Sequence, residues 1–417
     1  ANCAIMHGMR IRFVTSILVI GVAFLVWNWK TKSGNGIFSV VLQAFIHMAR
    51  PHSHIPTEPL VGPSIWDGRD LVNQEHIWRV TLSSKNIVDV QYMVQSVISS
   101  NISMNRLTKD DCPLGSIDES LATWQNATIP GIGLGFLVIR GFPVESWTEQ
   151  ESSIAFWCVG LHLGKAGSQN GKGDILGDVK NEFVSKEDRQ LLGNVRQYRT
   201  DEAISFHCDA ADVVGLFCLG QGLSGGSSRV VSSGAVFNVL RERSPELIDA
   251  LFTPMIFDTR GDGGLNYFTL RPARFYNGVL RSFLHLEYMK TAYQHKSAPD
   301  SIPKKHEELI DAYVKIADEL ALDMDFKPGD LQWVSNHAIL HARTAFLDSD
   351  RESSESANSV SRSRNRHLLR LWLTTGSSLG NEKGFVFDPK AIASTTLALT
   401  ELIFGFAKSK FLSGIYD

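Results

Sequence analysis

The sequence predicts an α+β protein with a mainly β core, arranged as a double-stranded β-helix (jelly roll) with flanking helices, plus an N-terminal apolar helix. Three observations lead to this prediction. Many short apolar runs are bounded by glycine and other turn residues, helical patterns lie between them, and candidate metal ligands are far apart in the sequence. A barrel made of two sheets can present ligands from such distant strands at one of its ends.

Composition places the chain among globular proteins that bury a large core, since 43% of its 417 residues are hydrophobic and 20% are charged. The formal net charge of −3 gives no reason to expect a nucleic acid partner. The five cysteines are odd in number and lack CxxC spacing. They therefore predict neither a disulfide framework nor a zinc site, and they favour a reducing compartment.

An apolar segment near the N-terminus predicts a membrane anchor. Residues 13–29 carry no charge, and they include Trp27 and Trp29, which suit a membrane interface. A signal peptide is a second interpretation, but no small-residue cleavage site follows Trp29. We therefore expect a signal-anchor helix within residues 1–33, with the folded domain in the cytosol. If the chain start is mispredicted, the protein would instead be soluble and cytoplasmic.

The remaining sequence divides into a linker and a folded domain. Residues 34–68 combine an apolar run that is too short to span a membrane with a stretch rich in proline, histidine and serine, so we expect a linker and an amphipathic segment. The domain is predicted to occupy residues 69–417. Within it, residues 348–365 are rich in serine with mixed charge, which predicts a disordered surface insertion.

Short apolar runs between turn residues predict the strands of the core. They are residues 135–141, 206–219, 229–231, 330–334, 338–346 and 367–373. Asn277-Gly278 between apolar residues is a strong signal for a hairpin, and the glycine-rich residues 164–177 predict a loop. Glycines in residues 131–135 resemble a nucleotide-binding loop, but no helix follows them, so we exclude a Rossmann fold.

Helices are predicted where apolar residues recur with helical spacing. Residues 148–163 and 304–322 have this pattern. A third helix is predicted over residues 244–252, because Ser244 and Pro245 are favoured at the cap and at the first helical position. These helices are expected to flank the sheets.

The most informative chemical signal is an H-x-D pair. In an extended strand His207 and Asp209 point to one face and Cys208 to the other. With the distant His341 they supply two imidazoles and one carboxylate on one face of a metal, the arrangement of non-haem Fe(II) oxygenases. The pair alone is a weak signal, because a chain with 13 histidines and 44 acidic residues contains such pairs by chance.

Other stretches strengthen the signal because they occur in the order of one known family. They are residues 135–141, 168–170, 173–174, 177–179, 206–209, 224–226, 336–346 and 366–373. In these stretches the chain resembles the TauD/TfdA family of Fe(II)/2-oxoglutarate dioxygenases, particularly its fungal branch. The resemblance covers roughly residues 60–380, and it implies that His207, Asp209 and His341 bind the iron.

The resemblance also implies a binding site for the cosubstrate. Arg366 matches the arginine that pairs with the C5 carboxylate of 2-oxoglutarate through two parallel hydrogen bonds. Ser228 lies where the family often has a threonine hydroxyl that supports this carboxylate, although Ser227 is adjacent. Arg370 shares a strand face with Arg366. It is expected to hold an anionic substrate group or to assist the cosubstrate, with a solvated position at the barrel rim as the alternative.

Nearby residues compete with these assignments. Asp212 is the competing carboxylate, but its odd spacing from His207 predicts that it faces away. His337 is the competing histidine, and we expect a structural role for it. Arg343 shares the face of His341 and either orients a ligand or contacts substrate. The residues that match a family stretch leading into the H-x-D strand, and that are expected to line the pocket, are Tyr198, Thr200 and Asp201.

The resemblance implies an oxygenase that uses dioxygen to convert 2-oxoglutarate into succinate and CO2 while it hydroxylates a small molecule. Desaturation or ring closure would use the same residues. The expected substrate is of the carboxylate or amino-acid type, with an anionic group if Arg370 contacts it. One alternative is a jelly-roll binding or structural protein with a non-catalytic site. Another is a metal-dependent hydrolase, which would need no buried arginine pair.

Overall fold

Two β-sheets face each other in the computed structural model, and helices cover their outer surfaces. The structure describes residues 53–169, 173–183, 195–260, 266–276, 278–349 and 365–375. Its strands are β1 (Arg79–Thr81), β2 (Phe136–Arg140), β3 (Lys165–Gly167), β4 (Leu176–Lys180), β5 (Ile204–His207), β6 (Val213–Gly220), β7 (Ser224–Gly225), β8 (Ser228–Ser232), β9 (Met255–Asp258), β10 (Tyr267–Leu270), β11 (Ala273–Tyr276), β12 (Val279–Ser282), β13 (Leu322–Met324), β14 (Leu331–Ser335), β15 (Ile339–Arg343), β16 (Phe346–Leu347) and β17 (His367–Thr374). Its helices are α1 (Gly68–Leu71), α2 (Glu75–Trp78), α3 (Ser84–Ser100), α4 (Asp118–Thr128), α5 (Glu149–Leu163), α6 (Ser233–Arg243), α7 (Ile248–Phe252), α8 (Leu286–Thr291) and α9 (Lys304–Leu320).

The larger sheet has the strand order β1-β2-β14-β6-β17-β3, with β4 also paired to β17. The β1–β2 pair is parallel, and the other pairs of this sheet are antiparallel. The smaller sheet has the order β13-β8-β15-β5 and is antiparallel. The segment that follows β12 extends this smaller sheet beyond β5. There the Cys208 amide donates a hydrogen bond to the Leu284 carbonyl (2.6 Å).

Alternation of side chains along the strands separates three hydrophobic layers. On β17, Leu369 packs outward against helices α3 to α5, whereas Leu368 faces the space between the sheets. On β15, Leu340 packs outward against α6, α7 and α9, whereas Ile339 faces inward. The inward-facing polar side chains of both sheets therefore share one interior, and the candidate site lies there.

Local sequence signals explain the long flanking helices. Helix α5 begins with a capping box in which Thr148 Oγ1 accepts from the Glu151 amide (3.1 Å) and the Glu151 carboxylate accepts from the Thr148 amide (2.7 Å). The helix predicted over residues 304–322 is observed as α9, which ends at Leu320. Leu322 belongs instead to β13, because it pairs with Val230 of β8.

A close contact between two central strands requires glycine at position 215. Gly215 of β6 lies opposite Trp333 of β14, and a Cβ atom there would lie 2.2 Å from Trp333 Cζ3. Trp333 is fully buried and packs against Phe156 of α5, with ring centroids 5.6 Å apart. The indole thus occupies the space that any other residue at position 215 would need.

Two expectations about local structure were wrong. The loop expected over residues 164–177 contains β3 and the start of β4, which pair with β17 along its edge. Cys112 and Cys158 form a disulfide, although the cysteine pattern did not predict one. They are 46 residues apart in sequence, but the packing of α5 brings their Cα atoms to 5.4 Å, within the range for a disulfide.

The prediction that the protein associates with a membrane and is anchored in it is wrong for the part of the chain that the structure describes. Among the residues that the structure describes, none of the helices is long and apolar enough to cross a membrane. The longest, α3 and α9, have polar residues along one side and bury only the other. The anchor predicted at residues 13–29 lies outside the described residues, as do residues 34–52 of the predicted linker and 350–364 of the predicted insertion.

Candidate metal centre

His207, Asp209 and His341 come together in the interior between the two sheets. Their candidate ligand atoms all lie within 4.8 Å of one another, and all three residues are buried. His207 at the end of β5 lies directly opposite His341 on β15, with ring centroids 4.2 Å apart. Asp209 Oδ2 lies 3.6 Å from His341 Nε2. The three side chains that the H-x-D pattern and the distal histidine singled out thus form one cluster.

The alternation predicted for the H-x-D segment is present, although β5 ends at His207. Cys208 packs into the outer core beneath α9, on the side opposite the cluster. The Asp209 amide donates to Asn336 Oδ1 (2.9 Å). Asn336 precedes β15, so the segment that carries His341 also fixes the backbone of Asp209.

The hydrogen bonding of His207 leaves one ring nitrogen available to a metal. His207 Nδ1 lies 2.9 Å from the Ser205 carbonyl oxygen, which can only accept, so Nδ1 carries the proton and Nε2 has a free lone pair. Burial and the neighbouring His341 lower the pKa of His207 to about 3. The ring is therefore neutral at neutral pH, as a metal ligand must be.

Two buried polar atoms of the cluster lack partners. Among the described residues neither Asp209 Oδ2 nor His341 Nδ1 has a hydrogen bond. Burial raises the pKa of Asp209, but the positive charge of Arg370 and the nearby His341 outweigh this and hold that pKa far below its ordinary value. A buried, ionised carboxylate with an unsatisfied oxygen is costly without a cation. The donor set therefore fits a divalent metal held by two imidazoles and a carboxylate.

Arg370 is buried beside this cluster and is not a solvated rim residue. Its Nη1 lies 3.4 Å from Asp209 Oδ1, and its Nε donates to Gln169 Oε1 (2.7 Å). The guanidinium packs against Tyr198 and Trp372, with its carbon 4.7 and 5.0 Å from the two ring centroids. Arg370 thus stabilises the ionised form of Asp209, and Gln169 and two aromatic rings fix its position.

Arg366 offers a buried positive charge without an acidic partner. No carboxylate of the described residues lies within ion-pair distance of it, and its Nη1 is buried without a hydrogen bond. Its Nε donates to the Gly226 carbonyl (3.2 Å), and Phe346 lies beneath the guanidinium. Burial lowers the pKa of Arg366 to about 10, so it remains charged at neutral pH. A cavity of about 130 Å³ borders it, so a ligand carboxylate would complete this site.

Arg343 lies close enough to this charge to be affected by it, and Ser227 lines the same cavity as Arg366. Ser228 is buried and pairs with Arg343 across β8 and β15. Arg343 donates to the Thr200 carbonyl (2.9 Å) and to the Glu202 carbonyl. Its described hydrogen bonds therefore hold the segment before β5 and do not reach His341. Burial, and then the charge of Arg366, lower the pKa of Arg343 to about 9.

The competing acid and histidine satisfy each other. Asp212 Oδ1 lies 2.8 Å from His337 Nε2, and Asp212 Oδ2 accepts from the Thr375 amide (3.1 Å). Both residues are buried. Asp212 and His337 therefore bond to each other and do not belong to the cluster of His207, Asp209 and His341.

His285 is a further residue beside the cluster, and no sequence motif singles it out. His285 forms an isolated antiparallel bridge with His207, and their ring centroids are 4.9 Å apart. Burial, and then His207, hold the pKa of His285 well below its ordinary value. No local motif marks this histidine, because its position depends on pairing between segments that are distant in sequence.

Comparison with known proteins identifies the family. The model for the taurine catabolism dioxygenase TauD, TfdA family matches residues 114–372, a range that contains the whole cluster. The chain belongs to the TauD/TfdA family. It is therefore an Fe(II)- and 2-oxoglutarate-dependent dioxygenase, and the alternatives of a binding protein or a hydrolase are set aside.

Similar proteins are found among both bacteria and fungi. FR-33289 synthase of Streptomyces rubellomurinus is 28% identical over 327 residues, which cover 76% of this chain and 90% of that protein. Taurine hydroxylase-like protein SAT17 of Stachybotrys chartarum is 27% identical over 247 residues, which cover 57% of this chain and 60% of that protein.

Solved structures with the same fold are also oxygenases. An asparagine oxygenase in complex with Fe(II), 2S,3S-3-hydroxyasparagine and succinate has a TM-score of 0.53 at 17% identity, covering 72% of this chain and 94% of that one. The non-heme iron oxygenase OrfP with Fe and alpha-ketoglutaric acid has a TM-score of 0.52 at 14% identity, covering 71% and 94%. At these identities the likeness establishes a shared mixed fold of sheets and helices.

Proposed function

We propose that this chain hydroxylates a small amino-acid or carboxylate-type molecule, with Fe(II) held by His207, Asp209 and His341. The observation that carries the proposal is the convergence of these three ligands within 4.8 Å in a buried interior. Two imidazoles and one carboxylate leave further positions of an iron open, as an oxygenase requires. Within the fold, we interpret the two facing sheets as the halves of a jelly roll.

The protein's part in this reaction is to hold and orient. When bound, Fe(II) would supply the redox chemistry by which dioxygen oxidises 2-oxoglutarate to succinate and CO2 and a substrate carbon is hydroxylated. His207 presents Nε2 because Ser205 holds the proton on Nδ1. Asp209 is kept ionised by Arg370 and is positioned by Asn336. The buried interior limits the access of water to the reacting groups.

We assign the distal carboxylate of 2-oxoglutarate to Arg366. Its buried, unpartnered Nη1 and the adjacent cavity support this assignment, since a carboxylate would satisfy both the charge and the donor. Ser228 is buried opposite Arg343 and is assigned to support the same carboxylate with its hydroxyl. Arg370 contacts Asp209, so we place it at the iron end of the cosubstrate.

The substrate class is proposed from the relatives. Two solved oxygenases of this fold are described with hydroxylated asparagine and with hydroxylated arginine. One of the relatives in sequence is named for taurine, an aminosulfonate. These are small molecules that carry both an amine and an anionic group. A molecule of this type is accordingly the proposed substrate of the present chain.

The test is a screen for stimulated turnover. Purified protein is supplied with Fe(II), 2-oxoglutarate and air, and succinate is measured with each L-amino acid, with taurine and with small carboxylic acids. We expect at least one compound to stimulate succinate formation and to gain one oxygen atom by mass spectrometry. Loss of two hydrogens instead would indicate desaturation or ring closure. Absence of stimulation by every compound would reject the substrate class, and absence of any Fe(II)-dependent succinate would reject the function.

A further inference from the structure

Three histidines lie in register across three neighbouring segments of the smaller sheet. His341 on β15 is opposite His207 on β5, and His207 is opposite His285 in the segment that follows β12. Side chains of residues directly opposite in antiparallel pairs project from the same face. His285 therefore projects from the face that carries the two candidate iron ligands, on the side of His207 away from His341. It does not belong to the cluster of ligand atoms.

The hydrogen bonding of His285 determines its tautomer. His285 is the N-cap of α8, and its Nδ1 accepts a hydrogen bond from the Tyr288 amide (3.4 Å). An acceptor nitrogen cannot carry a proton, so in the neutral ring the proton is on Nε2. Within the described residues Nε2 has no hydrogen-bond partner. The helix cap thus leaves an N–H donor on the face of the site.

The ring is also held in a fixed orientation. It stacks on Tyr288 with centroids 3.4 Å apart and planes 9° apart. The guanidinium of Arg260 lies against the Tyr288 ring, 4.8 Å from its centroid, and is itself fixed by Glu287 (2.8 Å). A donor with so little freedom loses little entropy when a ligand binds. The side chain is half-buried and lies beside His207, with ring centroids 4.9 Å apart.

The charges around His285 are mixed and include two cations. Asp209 acts on the His285 ring, whereas Arg196 and Arg260 act on both His285 and Tyr288. By contrast, Arg370 is already engaged with Gln169 and Asp209. His285 therefore supplies a donor on this face in addition to the guanidinium of Arg370, to which the sequence had drawn attention.

We infer that His285 is a substrate contact. Its Nε2–H donates a hydrogen bond to a carboxylate or carbonyl oxygen of the molecule that is hydroxylated, next to the iron site. The inference rests on the proposed function and adds a specificity residue to it. A substrate oxygen held there would fix which carbon is presented to the metal. The proposed contact requires no change in the protonation of the His285 ring.

Two substitutions separate this role from helix capping. In His285→Asn the side-chain oxygen can still accept from the Tyr288 amide, but the side chain is too short to place a donor where Nε2 lies. In His285→Gln the side-chain amide reaches the Nε2 position and can donate, but the cap is lost. A structural role would make Gln the more damaging change, whereas a substrate contact would make Asn the more damaging one. His295→Asn is the matched control, because His295 bonds to Asp258 in the same region.

The first measurement uses succinate formation stimulated by L-asparagine and by L-arginine. We expect His285→Asn to raise the KM for the stimulating amino acid roughly tenfold, as loss of one hydrogen bond would. His285→Gln should stay within about threefold of wild type. Equal KM values in wild type, His285→Asn and His295→Asn would overturn the inference. A greater loss in His285→Gln than in His285→Asn would do the same, because the cap alone would then explain the effect.

The second measurement is independent of the substrate class. In protein labelled with ¹⁵N-histidine and loaded with Zn(II) and 2-oxoglutarate, NMR reports the tautomer of His285, which is assigned through the His285→Asn variant. We expect the Nε2–H form, with its resonance shifted when acetate is added as a carboxylate probe. The Nδ1–H form, or no response to acetate, would overturn the inference. If neither amino acid stimulates turnover, this NMR result alone decides the role of His285.

Discussion

His207 and His341 lie directly opposite each other on adjacent antiparallel strands, with ring centroids 4.2 Å apart. This pairing brings together residues that are far apart in sequence, so the metal centre depends on the register of β5 against β15. The register shifts between His341 and Arg343, immediately beyond the cluster. Because a slip of one residue turns a side chain to the other sheet face, only one register gives this site.

Iron binding should depend on Asp209 and not on Asp212. Asp209→Ala removes a ligand and should abolish Fe(II) binding in anaerobic calorimetric titrations. Asp212→Asn should bind Fe(II) like wild type, although it should unfold more readily, because the buried contact with His337 is weakened. Thermal unfolding of both variants provides the control for folding. Loss of iron in the Asp212 variant alone would refute the ligand assignment.

Binding of 2-oxoglutarate should depend steeply on Arg366. Loss of one partner of a buried charge pair costs ~3–5 kcal/mol, so Arg366→Ala should weaken 2-oxoglutarate binding by a few hundred-fold or more. Arg366→Lys keeps the charge but not the two parallel hydrogen bonds, and it should fall between wild type and alanine. Equilibrium dialysis with labelled 2-oxoglutarate in the presence of Fe(II) measures both. Near wild-type binding in Arg366→Ala would place the carboxylate elsewhere.

Removal of Arg370 should make metal binding more sensitive to acid. The charge of Arg370 opposes the effect of burial and holds the pKa of Asp209 far below its ordinary value. Without this charge that pKa rises, so protons compete with the metal for Asp209 at higher pH. As the solution is acidified, the metal affinity of Arg370→Ala should therefore begin to fall at a higher pH than that of wild type. Titrations with Co(II) at several pH values measure this pH dependence, and Arg366→Lys is the control. Parallel pH profiles for Arg370→Ala and wild type would contradict the prediction.

Stability should be sensitive to Gly215 and tolerant at Gly160. A Cβ at position 215 would lie 2.2 Å from a ring carbon of Trp333, which is enclosed on all sides, so Gly215→Ala should cost roughly 1–3 kcal/mol or more. At position 160 the new atom would meet the flexible end of Leu371 at 2.8 Å, and alanine also favours the helix. Gly160→Ala should therefore be nearly neutral. Urea unfolding compares the two, and equal losses would contradict this packing argument.

Sequence periodicity was sufficient where structure is local. The alternation of His207, Cys208 and Asp209 follows from strand geometry alone, and the structure places Cys208 in the outer core as expected. The helix predicted over residues 148–163 is observed as α5, to within one residue. The hairpin expected at Asn277-Gly278 is present as β11 and β12. In each case a few neighbouring residues carry the information.

Features that depend on pairing across long distances were not predictable. His285 enters the site through a bridge to His207, and no pattern around it indicates that bridge. Gln169 belonged to a recognised stretch, but its bonds to Arg370 depend on the pairing of distant strands. The disulfide between Cys112 and Cys158 likewise depends on how α5 packs.

The most direct test of the central claim is an anaerobic titration of the protein with Fe(II) and 2-oxoglutarate, followed by visible absorption. Chelation of the iron by 2-oxoglutarate produces a charge-transfer band that neither component gives alone. In wild type this band is expected to appear and to saturate at one iron per chain. In His341→Ala it should be absent, although the variant remains folded by circular dichroism. A band of undiminished intensity in folded His341→Ala, or no band in wild type, would contradict the proposed metal centre.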